Sequence, residues 1–449
     1  MLDITNCSVV ERVVDEAAAH DGDWPLPLLK LKQLYLTELP KLREIVGGGL
    51  LECLQHKNEN KRAKAVNSEL CSICLKDLGE LEYIWKGPTQ SVSFHRLESI
   101  ELWRCSKLRN IFTLTIVTSL PELKILHALA CEELEGIFCE ESLENLSSSS
   151  NVCFPKLEKI LILGSNKMKR VFSYSMAYHH CPSVEVLGIR DCSELETVVD
   201  EEAAHDGDWR LPLLKLKKLH LRGLPKLRDI FGGGLLECPQ QKNENKRARV
   251  VNSELCSIFL KDLGELEYIW KGPTQSVSLH RLESIELWRC SKLRNIFTLT
   301  IVTSLPELKI LEVFDCEELE GIFCEESLEN LSSSSNVCFP KLEKILILGS
   351  NKMKRVFSYS MASHHCPSLE SIRIVSCAEL EGVVKRSKGE VEVGDHGNLF
   401  PKLKDLYLED LPQLREIYEG YEFSLLSGTT RTRDCPNMHN IPLLEYEAS

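Results

Sequence analysis

The sequence predicts a leucine-rich-repeat solenoid, an α/β horseshoe of short parallel strands with mostly irregular return segments. Three observations predict it: a tandem duplication, a shorter leucine repeat inside each copy, and glycines and prolines that interrupt every stretch.

The duplication shows in marker runs. Asp21-Gly22-Asp23-Trp24 recurs as Asp206-Gly207-Asp208-Trp209, and Trp85-Lys86-Gly87-Pro88 as Trp270-Lys271-Gly272-Pro273, both at an offset of 185 residues. The match runs almost unbroken from Ile4 to Val383, so the copies span about 4–198 and 189–383 and overlap by homology. A partial set of units follows over 384–449.

Inside each copy the unit reads L-x-x-L-x-L-x-x-(L/C)-x-x-L-x-x-I, as at Leu97-Ile100-Leu102-Cys105-Leu108-Ile111. Units start at Leu31, Leu70, Leu97, Leu123, Leu157 and Val184, then at Leu216, Leu255, Leu282, Leu308, Leu342 and Leu369, with a further start at Leu403. A truncated unit opens the chain at Leu2-Ile4-Cys7, and a worn one closes it at Cys435-Met438-Ile441. In L-x-L the two apolar side chains share one face of a short strand and the residue between them points to the other. One unit cannot bury its leucines alone; stacking on neighbours buries them and pairs the backbone. Leu102 and Leu287 are therefore core positions. A coiled coil would also repeat leucines, but the i, i+3, i+5 start breaks a heptad, and Gly47-Gly48-Gly49 and Gly232-Gly233-Gly234 interrupt it. Polar insertions at Lys57–Arg62 and Ser147–Ser150, with their copies from Lys242 and Ser332, read as loops off the stack. Residues 1–449 are thus expected to form one leucine-rich-repeat domain. The chain opens on a strand with no preceding polar cap, so it is expected to be a piece of a longer protein or a truncated gene model.

Composition narrows the function. With 54 basic and 67 acidic residues the net charge is −13, which excludes duplex nucleic acid and anionic membrane surfaces as expected partners. There is no secretory signal pattern and no run of about 18 apolar residues to span a membrane. Nineteen cysteines, an odd number, fit poorly with a closed disulfide framework. A cytoplasmic, reducing location is expected.

Leu34-Tyr35-Leu36-Thr37-Glu38-Leu39-Pro40-Lys41-Leu42-Arg43-Glu44-Ile45, Cys181-Pro182-Ser183 with Cys192, and Phe339-Pro340-Lys341-Leu342 through Cys377-Ala378-Glu379-Leu380-Glu381-Gly382-Val383 carry a resemblance. Alternating LPKL-x-x-I and C-x-x-L-x-x-(I/V) units resemble the C-terminal repeat region of plant coiled-coil nucleotide-binding leucine-rich-repeat disease resistance proteins. The resemblance implies a protein-recognition domain of an intracellular immune receptor. Its implied partners are a pathogen effector or host protein and a nucleotide-binding domain missing from this chain. No G-x-x-x-x-G-K-(S/T) occurs, so the phosphate-cradling loop of that switch domain is absent. The alternative is a non-sensing scaffold or truncated decoy.

Residues with chemical potential read as structural, and no catalytic group, cofactor or metal is expected. Cys71 and Cys74 have redox or zinc half-site spacing, but Cys74 is matched by Phe259 in the second copy and no second pair follows. Both are expected within a repeat strand, as small hydrophobes. His179-His180-Cys181 and His364-His365-Cys366 are adjacent rather than at ligand spacing, and are expected in loops. Cys7, Cys105, Cys131, Cys192, Cys290, Cys316, Cys377 and Cys435 share one repeat position, a strand-to-loop corner. The glutamate pairs Glu132-Glu133, Glu140-Glu141, Glu317-Glu318 and Glu325-Glu326 read as solvated surface, with no nucleophile and base to accompany them.

The partner surface is predicted on the open, concave face, formed by residues between and just after each L-x-L pair. Most should be polar, as Glu101, Arg190, Lys261 and Arg373 are. One column departs: Trp103, Leu129 and Leu163 with Leu161 beside them, and in the second copy Trp288, Phe314, Leu348 and Val375 with Leu346 beside them. Exposed apolar patches with a tryptophan anchor mark protein-binding sites.

Overall fold

The computed structural model describes residues 1–11, 13, 30–46, 66–85, 92–112, 120–138, 152–173, 175–200, 213–230, 251–269, 277–297, 305–323, 337–385, 399–418 and 428–439. The chain divides into two compact units, Met1–Leu216 with Ile230–Gly232, and Lys217–Asp229 with Gly233–Ser449.

The first unit holds a ladder of parallel strands hydrogen-bonded in sequence order: Leu2–Thr5, Gln33–Thr37, Ser72–Lys76, Ser99–Trp103, Ile125–Leu129, Lys159–Leu163 and Val186–Arg190. The second unit repeats the arrangement with Lys218–Arg222, Ser257–Lys261, Ser284–Trp288, Ile310–Phe314, Lys344–Leu348, Ser371–Val375, Asp405–Glu409 and Thr429–Arg433. From Leu31 to Leu403, each strand begins two residues after the unit start read from the sequence.

Burial follows the two-residue period. In Ser99–Trp103, Ile100 and Leu102 are buried while Ser99, Glu101 and Trp103 stand on the open side. The register places Ile73, Ile100, Leu126 and Ile160 in one buried row, and Leu75, Leu102, Ala128 and Ile162 in the next. Each buried Leu or Ile contributes about 1.5–3 kcal/mol, so these rows dominate the stability of each unit.

A sharp bend ends every ladder strand. The residue after the strand has positive φ in all of them, from Asn6 (54°) and Arg104 (51°) to Asp410 (53°) and Asp434 (53°). In most of them its N–H donates to the last residue of the next strand, as Arg104 does to Leu129 at 2.8 Å and Arg289 to Phe314 at 2.8 Å. A tight turn follows one residue later, as in Leu108 N–H to Cys105 O at 3.2 Å.

The return segments, expected to be mostly irregular, carry short parallel pairs: Asn110–Phe112 with Gly136–Phe138 in the first unit, and Asn295–Phe297 with Gly321–Phe323 in the second. Behind the ladder, Phe112, Phe138 and Phe154 pack with ring centroids 5.2–5.8 Å apart. Phe297 and Phe339 pair at 5.6 Å in the second unit.

Two placements differ from expectation. Cys71 precedes its strand and only Cys74 lies in it, on the open face between Tyr35 and Glu101, half-buried and not core. The histidine triplets are not in plain loops. Met176–His180 and Met361–His365 each form a single π-helical turn that buries the second histidine and hands the chain to a buried cysteine. No described helix is long and apolar enough to cross a membrane. The polar insertions, the triple glycines, the Asp-Gly-Asp-Trp runs, Ile441, and the glutamate pairs at 140–141 and 325–326 lie outside the described residues.

Candidate functional site

Strand register decides which side chains meet on the open face. At the last position of the strands, Lys76, Trp103, Leu129, Leu163 and Arg190 form one row in the first unit. Leu161 lies in the adjacent row between His127 and Gly188. Trp103, Leu129, Leu161 and Leu163 are thus brought together. Trp103 is 37% exposed, and the three leucines are half-buried. A Cβ on Gly188 would come 2.6 Å from Leu161 Cδ2, so the glycine makes room for that side chain.

In the second unit the row runs Lys261, Trp288, Phe314, Leu348, Val375 and Glu409, with Leu346 beside it between Glu312 and Arg373. All five apolar members, Trp288, Phe314, Leu346, Leu348 and Val375, are half-buried. The Trp288 and Phe314 rings stack at 3.8 Å with 14° between planes. Lys261 Nζ sits 4.8 Å over the Trp288 ring, and Trp288 Nε1 donates to Glu286 at 2.6 Å. The indole is therefore held from three sides. Such a rigid aromatic loses little side-chain entropy when a partner covers it.

Charge on this second face is unevenly satisfied. Glu286 accepts from Trp288, Glu312 from Lys344 at 2.7 Å, Asp405 from Ser371 at 3.4 Å, and Glu409 from Tyr407 at 2.5 Å with Arg433 at 3.4 Å. Lys218, Arg222, Lys261, Arg373 and Arg431 form no ion pair among the described residues, and Arg373 lies over the Tyr407 ring at 5.0 Å. On the first face, His127 has no partner for its buried Nε2. Burial first, then Lys159 beside it, hold its pKa below the usual histidine range.

The differences between the two copies are densest on this surface. Across the six strands that each copy contributes between 33 and 190, nine of eighteen open-face positions differ from the residue 185 later. Of twelve inward positions only two differ, Ala128 against Val313 and Leu187 against Ile372. The inward positions are held by packing, which tolerates little change in volume.

The remaining candidates are packing groups. The corner cysteines Cys105, Cys131, Cys192, Cys290, Cys316 and Cys377 are buried, and their thiols donate to the carbonyl two residues back, as Cys192 does to Arg190 at 3.3 Å. Burial pushes the Cys192 and Cys377 thiols up to about 11. A thiol held there is a poor nucleophile near neutrality. Sequence reading missed one pairing: Cys153 Sγ lies 3.2 Å from His180 Nδ1, and Cys338 Sγ 3.4 Å from His365 Nδ1. Burial raises both thiols to about 11, so each contact is made by a buried thiol and not a thiolate near neutral pH. The 27-residue separation hid it, since no local spacing signals a contact one coil away. Among the described residues no group of three His, Cys, Asp or Glu side chains could hold a metal ion.

The chain is 26% identical over 306 residues to the probable disease resistance protein At1g12290 of Arabidopsis thaliana, covering 63% of this chain and 33% of that protein. It is 28% identical over 119 residues to the probable disease resistance protein At4g27220 of the same plant, covering 26% of this chain and 13% of that protein. The chain therefore spans about a third of the first relative and less of the second. A chain of the yeast Rad7 and Elc1 complex superposes with a TM-score of 0.26 at 14% identity, over 72% of this chain and 80% of that one. That score is too low to carry an argument, and the fold rests on the ladder itself. A family of leucine-rich repeats, "Plant disease resistance protein RPS2-like", matches residues 50–132, 133–236, 235–317 and 319–430. With its ladder of alternating core and open-face residues matched along most of its length, the chain belongs to the leucine-rich repeats of RPS2-like plant disease resistance proteins.

Proposed function

We propose that this chain is the protein-recognition repeat domain of an intracellular plant immune receptor, acting in defense in the cytoplasm and carrying no catalysis of its own. Its partners are a pathogen effector or a host protein, and the nucleotide-binding domain that the receptor supplies from elsewhere. The recognition surface is the open strand face: Trp103, Leu129, Leu161 and Leu163 on the first unit, and Trp288, Phe314, Leu346, Leu348 and Val375 on the second. One repeat type runs through both units, which supports treating 1–449 as a single leucine-rich-repeat domain.

The observation that carries this reading is the Trp288–Phe314 stack, half-exposed and fixed by Lys261 and Glu286. Large rigid aromatics at an accessible centre are where interface energy concentrates. Trp288→Ala with Phe314→Ala is expected to abolish capture of the proteins that the wild-type chain cross-links in plant tissue, with thermal unfolding nearly unchanged. Undiminished capture, or a large fall in thermal stability, would overturn the assignment of this patch as a recognition site.

A further inference from the structure

The duplication supplies an internal control for what the open face recognises. Packing constrains both copies alike, yet half of the open-face strand positions have changed. The changes are unevenly placed along the face. Gln33, Thr37 and Gly188 of the first copy stand where the second has Lys218, Arg222 and Arg373. Against them, Arg190 gives way to Val375, and His127 to Glu312, which Lys344 pairs. In a chain of net charge −13, the second face thus gains two cations on its first strand, Lys218–Arg222, while over Ser284–Val375 one arginine replaces another and a carboxylate is added. Of its carboxylates, Glu312 and Glu409 sit in ion pairs, and Glu286 and Asp405 accept only from the neutral Trp288 and Ser371; against these two, five cations, Lys218, Arg222, Lys261, Arg373 and Arg431, have no ion pair among the described residues. The charge left over for a partner is positive.

We infer that the open face of the second unit takes an acidic protein segment with an apolar anchor. The inference rests on the reading of that face as a recognition surface and adds the chemistry of the partner. The apolar end seats on Trp288, Phe314 and Leu348. The carboxylates reach Arg373 and Arg431, which flank Tyr407 in one row. Five strand steps of about 4.8 Å separate the Trp288 and Arg431 strands, so the site is about 24 Å long. A helix rising 1.5 Å per residue covers that with about 16 residues. Arginine suits the role because its planar fork binds carboxylates in pairs.

The test uses the full chain and two synthetic peptides of that length, sharing a Leu- and Phe-rich end and differing only in Glu or Lys at the other. By fluorescence anisotropy the Glu peptide is expected to bind at least about tenfold more tightly at low salt, with the preference shrinking as salt screens it. Arg373→Gly with Arg431→Gln should remove most of that preference and lower thermal stability only slightly, through the entropy a strand glycine adds to the unfolded chain. Gly is what the first copy already carries at position 188 of the equivalent strand, so the fold accommodates it. Equal binding of the two peptides, binding of neither, or a preference that survives the arginine substitutions overturns the inference. Arginine-dependent binding of a single-stranded DNA oligomer as tight as that of the Glu peptide would overturn the protein-segment assignment. The two readings fail separately. Equal peptide binding lost only in the Trp288→Ala, Phe314→Ala variant leaves the apolar patch standing without the charge preference. A Glu preference that persists in that variant removes the patch and leaves the cations.

Discussion

Residues with a side chain seldom hold φ near +55°, because Cβ crowds the neighbouring carbonyl. Here twelve of them do so at the same place in the unit, after the last ladder residue, and Gly164, Gly223 and Gly349 take the remaining three places. The conformation persists because the N–H it aims outward closes the ladder onto the next strand. Asp and Asn recur there, as at Asn6, Asp77, Asp191, Asp262 and Asp410, in keeping with their tolerance of the left-handed region. Gly164 and Ala130 give a test with opposite signs. Gly164→Ala should destabilise by roughly 0.5–1 kcal/mol, the left-handed cost of about 1–2 kcal/mol for a Cβ less the unfolded-chain entropy that alanine removes. Ala130→Gly removes that cost, and about 0.5–1 kcal/mol of added unfolded-chain entropy offsets part of it, so stability should rise slightly. Urea unfolding of the two variants checks the signs. His127 gives a second test at this scale. Its folded pKa is depressed, so as pH falls the unfolded chain takes up the proton first. Stability should hold above about pH 6.5, the ordinary histidine value, and fall as pH drops below it. His127→Gln should flatten that part of the pH–stability curve, and an unchanged curve would assign the loss to other groups.

At the scale of the element, the inward rows and strand starts were legible because leucine spacing reports burial directly. Thr429–Arg433 was not legible as a strand. Its inward positions are Thr430 and Thr432, half-buried at the end of the ladder, where β-branched shape suffices without a leucine. Pairs of return strands were likewise hidden, since three residues such as Asn110–Phe112 show too little alternation to separate strand from turn. The candidate patch was legible as a column because register follows from equal unit spacing. The Trp288–Phe314 stack, the Gly188 notch and the imbalance of paired and free charge needed coordinates, since they depend on rotamers. A further regularity was visible in the sequence and gained meaning only from the turns. Two residues past each corner, sign alternates along the stack: Lys41, Glu80, Lys107, Glu133, Lys167 and Glu194 in the first unit, then Lys226, Glu265, Lys292, Glu318, Lys352 and Glu379 in the second. Lys107 meets Glu80 at 2.7 Å and Lys292 meets Glu265 at 2.7 Å. Each exposed pair contributes little, but a slip by one unit would set like charges against each other along the whole column. Lys292→Glu should lower the unfolding temperature slightly at low salt and less at high salt. Adding Glu265→Lys should recover little, because the carboxylate introduced by the first substitution would still face Glu318. A loss insensitive to salt would point to packing instead.

The whole molecule joins these scales through nearest-neighbour coupling. Within each unit, among the described residues, a ladder strand pairs only with the ladder strands before and after it, so a lost core side chain is felt first by its own coil and the two that flank it. Leu102 is fully buried between Leu75 and Ala128, and Leu287 between Leu260 and Val313. Truncation of either to alanine should cost about 2–5 kcal/mol, the transfer of the removed methyls plus the cavity they leave. In a small globular domain that loss would lower protection everywhere at once, because unfolding is all-or-none. In a stack of this length it should stay local. Hydrogen exchange of Leu102→Ala is expected to quicken in Ser72–Lys76, Ser99–Trp103 and Ile125–Leu129, and to leave Ser371–Val375 and Asp405–Glu409 at wild-type protection. Leu287→Ala should show the reverse, with its effect centred on Ser257–Lys261 through Ile310–Phe314. Uniform loss of protection in either variant would mean that the stack unfolds as one cooperative body. The open face of one unit could not then be altered without disturbing the other, and the separate divergence of the two faces would need a different physical account.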